Sequence, residues 1–177
     1  MDGKRRKNDS RRGGFTLLEM VCVLVLLGVV ALLTTRMFTN LISGYTLARN
    51  SAAAVQKAQN ALQRMTIDFT YLKVASSSGG ETSISYNTSL DNDAIVISQS
   101  DNKISYSLNG TPYTLTDGVG ADSLRFTYYN TYTSSADSAL SSNTALVGIS
   151  FTMVGDDPSQ GFSQTYSTRV ALNKVKN

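Results

Sequence analysis

Residues 15–33 read FTLLEMVCVLVLLGVVALL and contain a single charge, Glu19. A helix rises about 1.5 Å per residue, so this run matches the hydrocarbon core of a bilayer. A cleaved secretory signal has a shorter apolar core followed by a small-x-small site. Here Thr34-Thr35-Arg36-Met37 follows, and the run reads as a retained membrane-spanning segment. A carboxylate inside such a segment costs roughly 2.5–3.5 kcal/mol on insertion scales. Glu19 therefore either snorkels from its place near the start of the run or meets a cationic partner inside an assembly.

The charge balance divides along the chain. Residues 1–14 hold Lys4, Arg5, Arg6, Lys7, Arg11 and Arg12 against Asp2 and Asp9, a balance of +4, whereas the remaining residues balance to −1. The high isoelectric point thus belongs to a short leader, and no basic groove for nucleic acid is expected on the body. A basic stretch just before an apolar run holds that end on the cytoplasmic side. With no His and one Cys, the chain cannot form an internal disulfide, a His-based general base or an ordinary Cys/His zinc site. The chain is read as a non-enzyme, with no cofactor and no metal assigned.

The junction between leader and run, Arg11-Arg12-Gly13-Gly14-Phe15-Thr16-Leu17-Leu18-Glu19, resembles the processing site of type IV prepilins and type II secretion pseudopilins. The resemblance implies cleavage between Gly14 and Phe15 by a prepilin peptidase on the cytoplasmic face, and N-methylation of Phe15. It also implies an assembly role for Glu19, which would neutralise the new α-amine of a neighbouring subunit; opposite charges attract strongly in low dielectric. Gly14 suits a site where a protease approaches bare backbone, because it has no Cβ. The partners implied are other pilins or pseudopilins, the peptidase, an inner-membrane assembly platform, and lipid before assembly. The location implied is the bacterial inner membrane, crossed once with the head outside the cytoplasm, and then a pilus or pseudopilus. Cys22 follows Val21 and lies mid-run, which does not fit a lipobox, so it is read as a small buried hydrophobe. Gly28 has no second small residue four positions away, and a GxxxG packing motif is absent.

Helical signals continue past the run without a Pro. Val55, Ala58, Leu62, Met65, Phe69 and Leu72 form one apolar face, with Arg49, Lys57, Arg64, Asp68 and Lys73 off it. The breaker Ser76-Ser77-Ser78-Gly79-Gly80 closes the helix near residue 75. A continuous helix over 15–75 would be about 90 Å long. Residues 34–48, with Thr, Asn and Gly, are its weakest link. The expected organisation is a removed leader over 1–14, a transmembrane or fibre-core helix over 15–35, an amphipathic continuation over 36–75, and a globular head over 81–177.

Short β-branched or Tyr-bearing runs at 83–88, 94–99, 103–108, 113–116, 124–132, 145–154 and 165–172 predict strands, and Asn109-Gly110 is a strong hairpin signal. A turn is expected over 155–161. The fold class predicted is α+β, a long N-terminal helix packed on an antiparallel meander, as in pilins. Among Tyr128, Tyr129 and Tyr132, alternation assigns at least one to the core. Residues 134–144 read as a mobile polar loop. Asp91, Asn92 and Asp93, and Asp117 with Asp122, offer oxygens to Ca²⁺, which some pseudopilins bind, but neither stretch follows the EF-hand pattern and the same residues are ordinary turn formers.

Residues 59–69 resemble the helix end of J-type minor pseudopilins and related minor pilins, and 167–173 resemble their final strand. Glu19 separates the chain from the K-type pseudopilin, which lacks this acid, and the lack of a Cys pair separates it from many major pilins. The sequence thus points to a minor subunit that primes or joins a type IV pilus or secretion pseudopilus. A major fibre-forming pilin, or a signal-anchored binding protein that does not assemble, remains the alternative.

Overall fold

The structure, a computed structural model, describes residues 14–89, 93–155 and 161–173. The basic stretch over 4–12, Asp91 and Asn92 of one calcium candidate, and most of the turn expected over 155–161 lie outside the described residues. The chain divides into two compact units, Met1–Tyr45 and Thr46–Asn177. Helix α1, Leu17–Thr70, contributes to both.

In the first unit, α1 is apolar and exposed. Three of its threonines do not interrupt it, because each returns its proton to the preceding turn. Thr34 Oγ1 donates to the Val30 carbonyl at 2.8 Å, Thr35 Oγ1 to Ala31 at 2.9 Å and Thr39 Oγ1 to Thr35 at 3.0 Å. Through this weakest expected stretch the helix stays continuous, Gly44 included. Cys22, expected to be buried, is exposed on this segment.

In the second unit, Ala54, Ala58, Ala61, Met65, Asp68 and Phe69 form the buried face of α1. Val55 and Leu62, assigned to that face from their three- and four-residue spacing, lie half-buried on its flank. The buried line combines the small Ala54, Ala58 and Ala61 with the large Met65 and Phe69, which fill the core beneath the helix. The helix ends at Thr70, short of the expected residue 75. Backbone pairing takes over there: Lys73 N–H donates to Asn87 O at 2.9 Å and Ser89 N–H to Tyr71 O at 2.8 Å. A short 3₁₀ turn, Val74–Ser76, follows.

The head contains two antiparallel sheets rather than the single meander expected. The first runs β1 (Ser78–Gly79), β2 (Ser83–Asn87), β3 (Ala94–Ser100), β4 (Lys103–Leu108) and β5 (Thr111–Asp117) in spatial order. The second runs β6 (Arg125–Tyr129), β7 (Leu146–Met153) and β8 (Gln164–Ala171). The β4–β5 turn places Asn109 at φ 51° and Gly110 at φ 84°, the doubly left-handed geometry that Asn-Gly favours in a two-residue hairpin. After β5 the meander is broken because the chain pairs elsewhere. Gly120 N–H donates to Thr152 O and Val154 N–H to Gly118 O, both at 2.8 Å, which stitches the connection to β7. Gln99 clamps the same connection, donating to Gly120 O at 2.7 Å and accepting from Leu124 N–H at 2.9 Å.

Phe69 joins the three layers. Its ring meets Tyr86 of the first sheet edge-on at 5.3 Å and Phe126 of the second at 6.0 Å. Around it Met65, Ile84, Ile97, Ile104, Val147 and Ile149 are buried in one cluster. Tyr128 is also in the core, with its hydroxyl donating to Gly80 O at 2.9 Å, while Tyr132 is exposed. The loop over 134–144, expected to be mobile, is tied down. Asp137 exchanges backbone hydrogen bonds with Tyr128, Leu140 N–H donates to Gly79 O, and Thr144 is fully buried.

Candidate processing and assembly site

Gly14, Phe15 and Thr16 precede α1 in non-helical backbone. A Cβ built on Gly14 meets nothing within 4 Å, so no described residue crowds the backbone on that side. Phe15 is 77% exposed. Thr16 then starts the helix. Its Oγ1 accepts the Glu19 N–H at 3.3 Å, and its carbonyl accepts the Met20 N–H at 3.2 Å. This is an N-cap: one of the helix's unsatisfied first-turn donors finds a side-chain oxygen.

Glu19 is therefore the third helical residue, in the first turn, where a carboxylate is favoured by the positive end of the helix dipole. Leu17, Leu18, Leu24 and the apolar residues that follow expose most of their surface. The helix passes the length and composition test for crossing a membrane, with a mean hydropathy of 2.7 in its most apolar window and none of that window buried.

The family model described as the prokaryotic N-terminal methylation motif matches residues 9–35. The chain carries the prepilin-type N-terminal signature. The match spans residues 9–14, Phe15, Glu19 and the apolar run, and it supports the type IV pilin and pseudopilin family. No curated protein and no solved structure matches the chain. The α+β arrangement, a long apolar-led helix packed on antiparallel sheets, is the pilin-like one that the signature leads one to expect. The prepilin signature implies processing by a prepilin peptidase, assembly with other pilins and membrane anchoring, and it indicates a structural subunit rather than an enzyme.

The remaining candidate residues belong to the second unit, Thr46–Asn177. Asp117, one calcium candidate, pairs with Lys57 Nζ at 2.8 Å. The hydrogen bond from Lys57 holds the Asp117 carboxyl below its ordinary value. Asp93 Oδ1 accepts from Asn109 Nδ2 at 2.9 Å, and Asp122 occupies a left-handed turn position at φ 48°. Turn and ion-pair roles thus account for all three. Among the described residues no group of three or more His, Cys, Asp or Glu could hold a metal.

Two residues escaped sequence reasoning. Thr16 was legible in principle: Thr16-Leu17-Leu18-Glu19 has the S/T-x-x-E spacing of a capping box before an apolar run. Asp68, assigned to the solvent side, is 6% exposed. It accepts from the Tyr86 hydroxyl at 3.0 Å and meets Arg64 Nε at 3.3 Å. Arg64 in turn donates to the Tyr106 hydroxyl at 3.0 Å with its guanidinium 5.2 Å from that ring's centroid. No local pattern announces such a cluster, because its members come from α1, β2 and β4.

Proposed function

We propose that the chain is a minor pilin or pseudopilin precursor, cleaved between Gly14 and Phe15, methylated on the Phe15 amine, and built into a fibre through the apolar half of α1. The observation that carries this reading is the bare, approachable Gly14 backbone two residues ahead of a capped helix, inside the matched methylation motif. Cleavage there leaves a cationic amine at the cytoplasmic edge of the membrane. Glu19 of an adjacent subunit neutralises that amine, so a carboxylate that is costly in lipid sets the stagger between subunits.

The head would make the heterotypic contacts of a priming or joining subunit, outside the cytoplasm. Leu17, Leu18, Val21 and Leu24, all exposed in the single chain, pack helix on helix in the assembly. The test is the intact mass of the protein purified from its native membranes. Loss of residues 1–14 with one added methyl group is expected. A full-length mass overturns the reading and leaves a signal-anchored binding protein as the account. Scarcity relative to the principal subunit in sheared fibres separates a minor from a major pilin.

A further inference from the structure

The edges of the two sheets are not equally protected. β1 is only two residues long. β5 carries Pro112, which offers no N–H, and its register against β4 shifts between Ile104 and Ser105. The outer edge of β6 is occupied: Phe126 N–H donates to Glu81 O at 2.7 Å, and Tyr128 exchanges two hydrogen bonds with Asp137. β8 has none of these devices. It runs eight residues, Gln164–Ala171, at the end of its sheet with an unbroken register against β7.

Leu172 N–H bonds to Ala145 O, which fixes the alternation of an antiparallel pair. Val170, Thr168 and Tyr166 then face β7, whereas the backbone groups of Thr165, Ser167, Arg169 and Ala171 point outward. The next outward N–H, that of Asn173, is already taken by Thr70 O at 3.1 Å. The open edge therefore stops at a defined place.

A charged side chain on an edge normally wards off pairing, but Arg169 is turned away from it. Its guanidinium lies 4.3 Å from the centroid of Tyr129 on β6, reaching across Gly148 of the intervening strand. A Cβ at Gly148 would collide with Thr127 Oγ1. The missing side chain leaves a notch of about 470 Å³ floored by β7 and walled by Thr127, Tyr129, Ser150, Ser167 and Arg169. None of its lining residues is acidic. Among the described residues neither Arg169 nor Arg125, on the same sheet, has an ion-pair partner.

From these two features we infer that the β8 edge takes up an extended segment of another protein as an added antiparallel strand, with a Glu of that segment seated on Arg169. Backbone pairing with the outward groups of Thr165, Ser167, Arg169 and Ala171 supplies the attachment, and the notch supplies the selection. Strands lie about 4.8 Å apart. The guanidinium is parked over the neighbouring strand, about two strand spacings from an added one, so it swings back toward the edge to meet the carboxylate, and the longer reach of Glu shortens that swing relative to Asp. This inference rests on the head alone and holds whether or not residues 1–14 are removed.

The test uses the full chain in detergent micelles and a fluorescent Thr-Glu repeat octapeptide, with the Thr-Lys repeat as control. Saturable binding of the Thr-Glu peptide is expected, and the amides of Thr165, Ser167, Arg169 and Ala171 should exchange more slowly with solvent in its presence. Arg169→Glu should weaken that binding at least about tenfold and transfer the preference to the Thr-Lys peptide. Ser167→Pro, which removes one outward N–H and leaves Arg169 in place, should abolish the protection while the near-ultraviolet spectrum of the core tyrosines is retained. Equal binding of both peptides, or binding that leaves the four amides unprotected, overturns the inference. Protection that rises with protein concentration alone also overturns it, in favour of pairing with a second copy of this chain.

Discussion

Tyr86 donates its hydroxyl proton to Asp68 Oδ2 across 3.0 Å, joining the buried face of α1 to the second strand of the first sheet. Arg64 Nε meets the same oxygen at 3.3 Å from a side chain that is 54% exposed. The acid is buried yet connected to a cation that still reaches water. Asp68→Ala leaves a buried hydroxyl without its acceptor and should cost roughly 2–4 kcal/mol of head stability, whereas Tyr86→Phe should cost about 1–2 kcal/mol. Chemical unfolding of the two single variants and the double variant checks this. The double-variant loss should fall short of the sum, because the residues are coupled.

Acid should weaken a different contact. Asp117 titrates below its ordinary value in the folded head because Lys57 holds the charged form. The stabilisation is therefore complete above the unfolded carboxylate value near pH 3.8. It is lost as pH falls from there through the depressed folded value. Both side chains are more than a third exposed, so screening limits the effect to roughly 0.2–1 kcal/mol. Stability curves of the wild type and Asp117→Asn should differ at neutral pH, converge in acid, and also converge at high salt.

Alkali acts through the core tyrosines. Burial pushes the phenols of Tyr86 and Tyr128 well above the ordinary tyrosine value of 10.0. They stay neutral in the folded state, and stability is lost once pH rises past the value at which the unfolded chain ionises. In an absorbance titration these two phenols should ionise only together with unfolding. Tyr86→Phe should remove one of the late-titrating groups.

Gly79 faces Tyr128 so closely that an added Cβ would collide with the phenol oxygen, with Ile84 Cγ1 at 3.2 Å on the other side. Gly79→Ala should destabilise the head by roughly 1–3 kcal/mol. Tyr128→Phe should recover part of that loss in the same background, since the oxygen is the nearest obstacle. Thermal unfolding of the four combinations decides it.

At the N-terminus the open surroundings of Gly14 make one substitution unusually clean. A Cβ at Gly14 touches nothing in the folded chain. Gly14→Ala should therefore leave folding intact while blocking leader removal, which an electrophoretic shift in cells producing the peptidase reports. Glu19→Ala should give the opposite pattern: normal cleavage, easier membrane insertion and poor recovery in sheared fibres.

Local patterns were read well where one interaction dominates. The Asn109-Gly110 turn, the apolar run and the β-branched strands each carry their own signal, and all appear in the structure. Long-range competition was not legible. The helix stops at Thr70 because the following backbone pairs with the end of β2 and the residues just past it, as in the Ser89 to Tyr71 bond, whose partners lie eighteen residues apart in sequence. The single expected meander became two sheets because Gly118 and Gly120 pair with residues of β7 and its end. Asp68 looked like a surface acid because its acceptor role needs a hydroxyl on another element. At the candidate site the motif residues are visible in the sequence, whereas the N-cap of Thr16 hides behind the more conspicuous Glu19 pattern, whose spacing it shares.

The tie between Asn173 N–H and Thr70 O gives the head a mechanical character. Where α1 ends, three backbone hydrogen bonds lie close together: Asn173 to Thr70, Ser89 to Tyr71, and Lys73 to Asn87. Tension drawn along the helix would enter the head at this junction and be shared between β2 and β8, one strand from each sheet. A pull that would unzip a single hairpin is instead divided between two sheets, so the head should yield as one body rather than strand by strand.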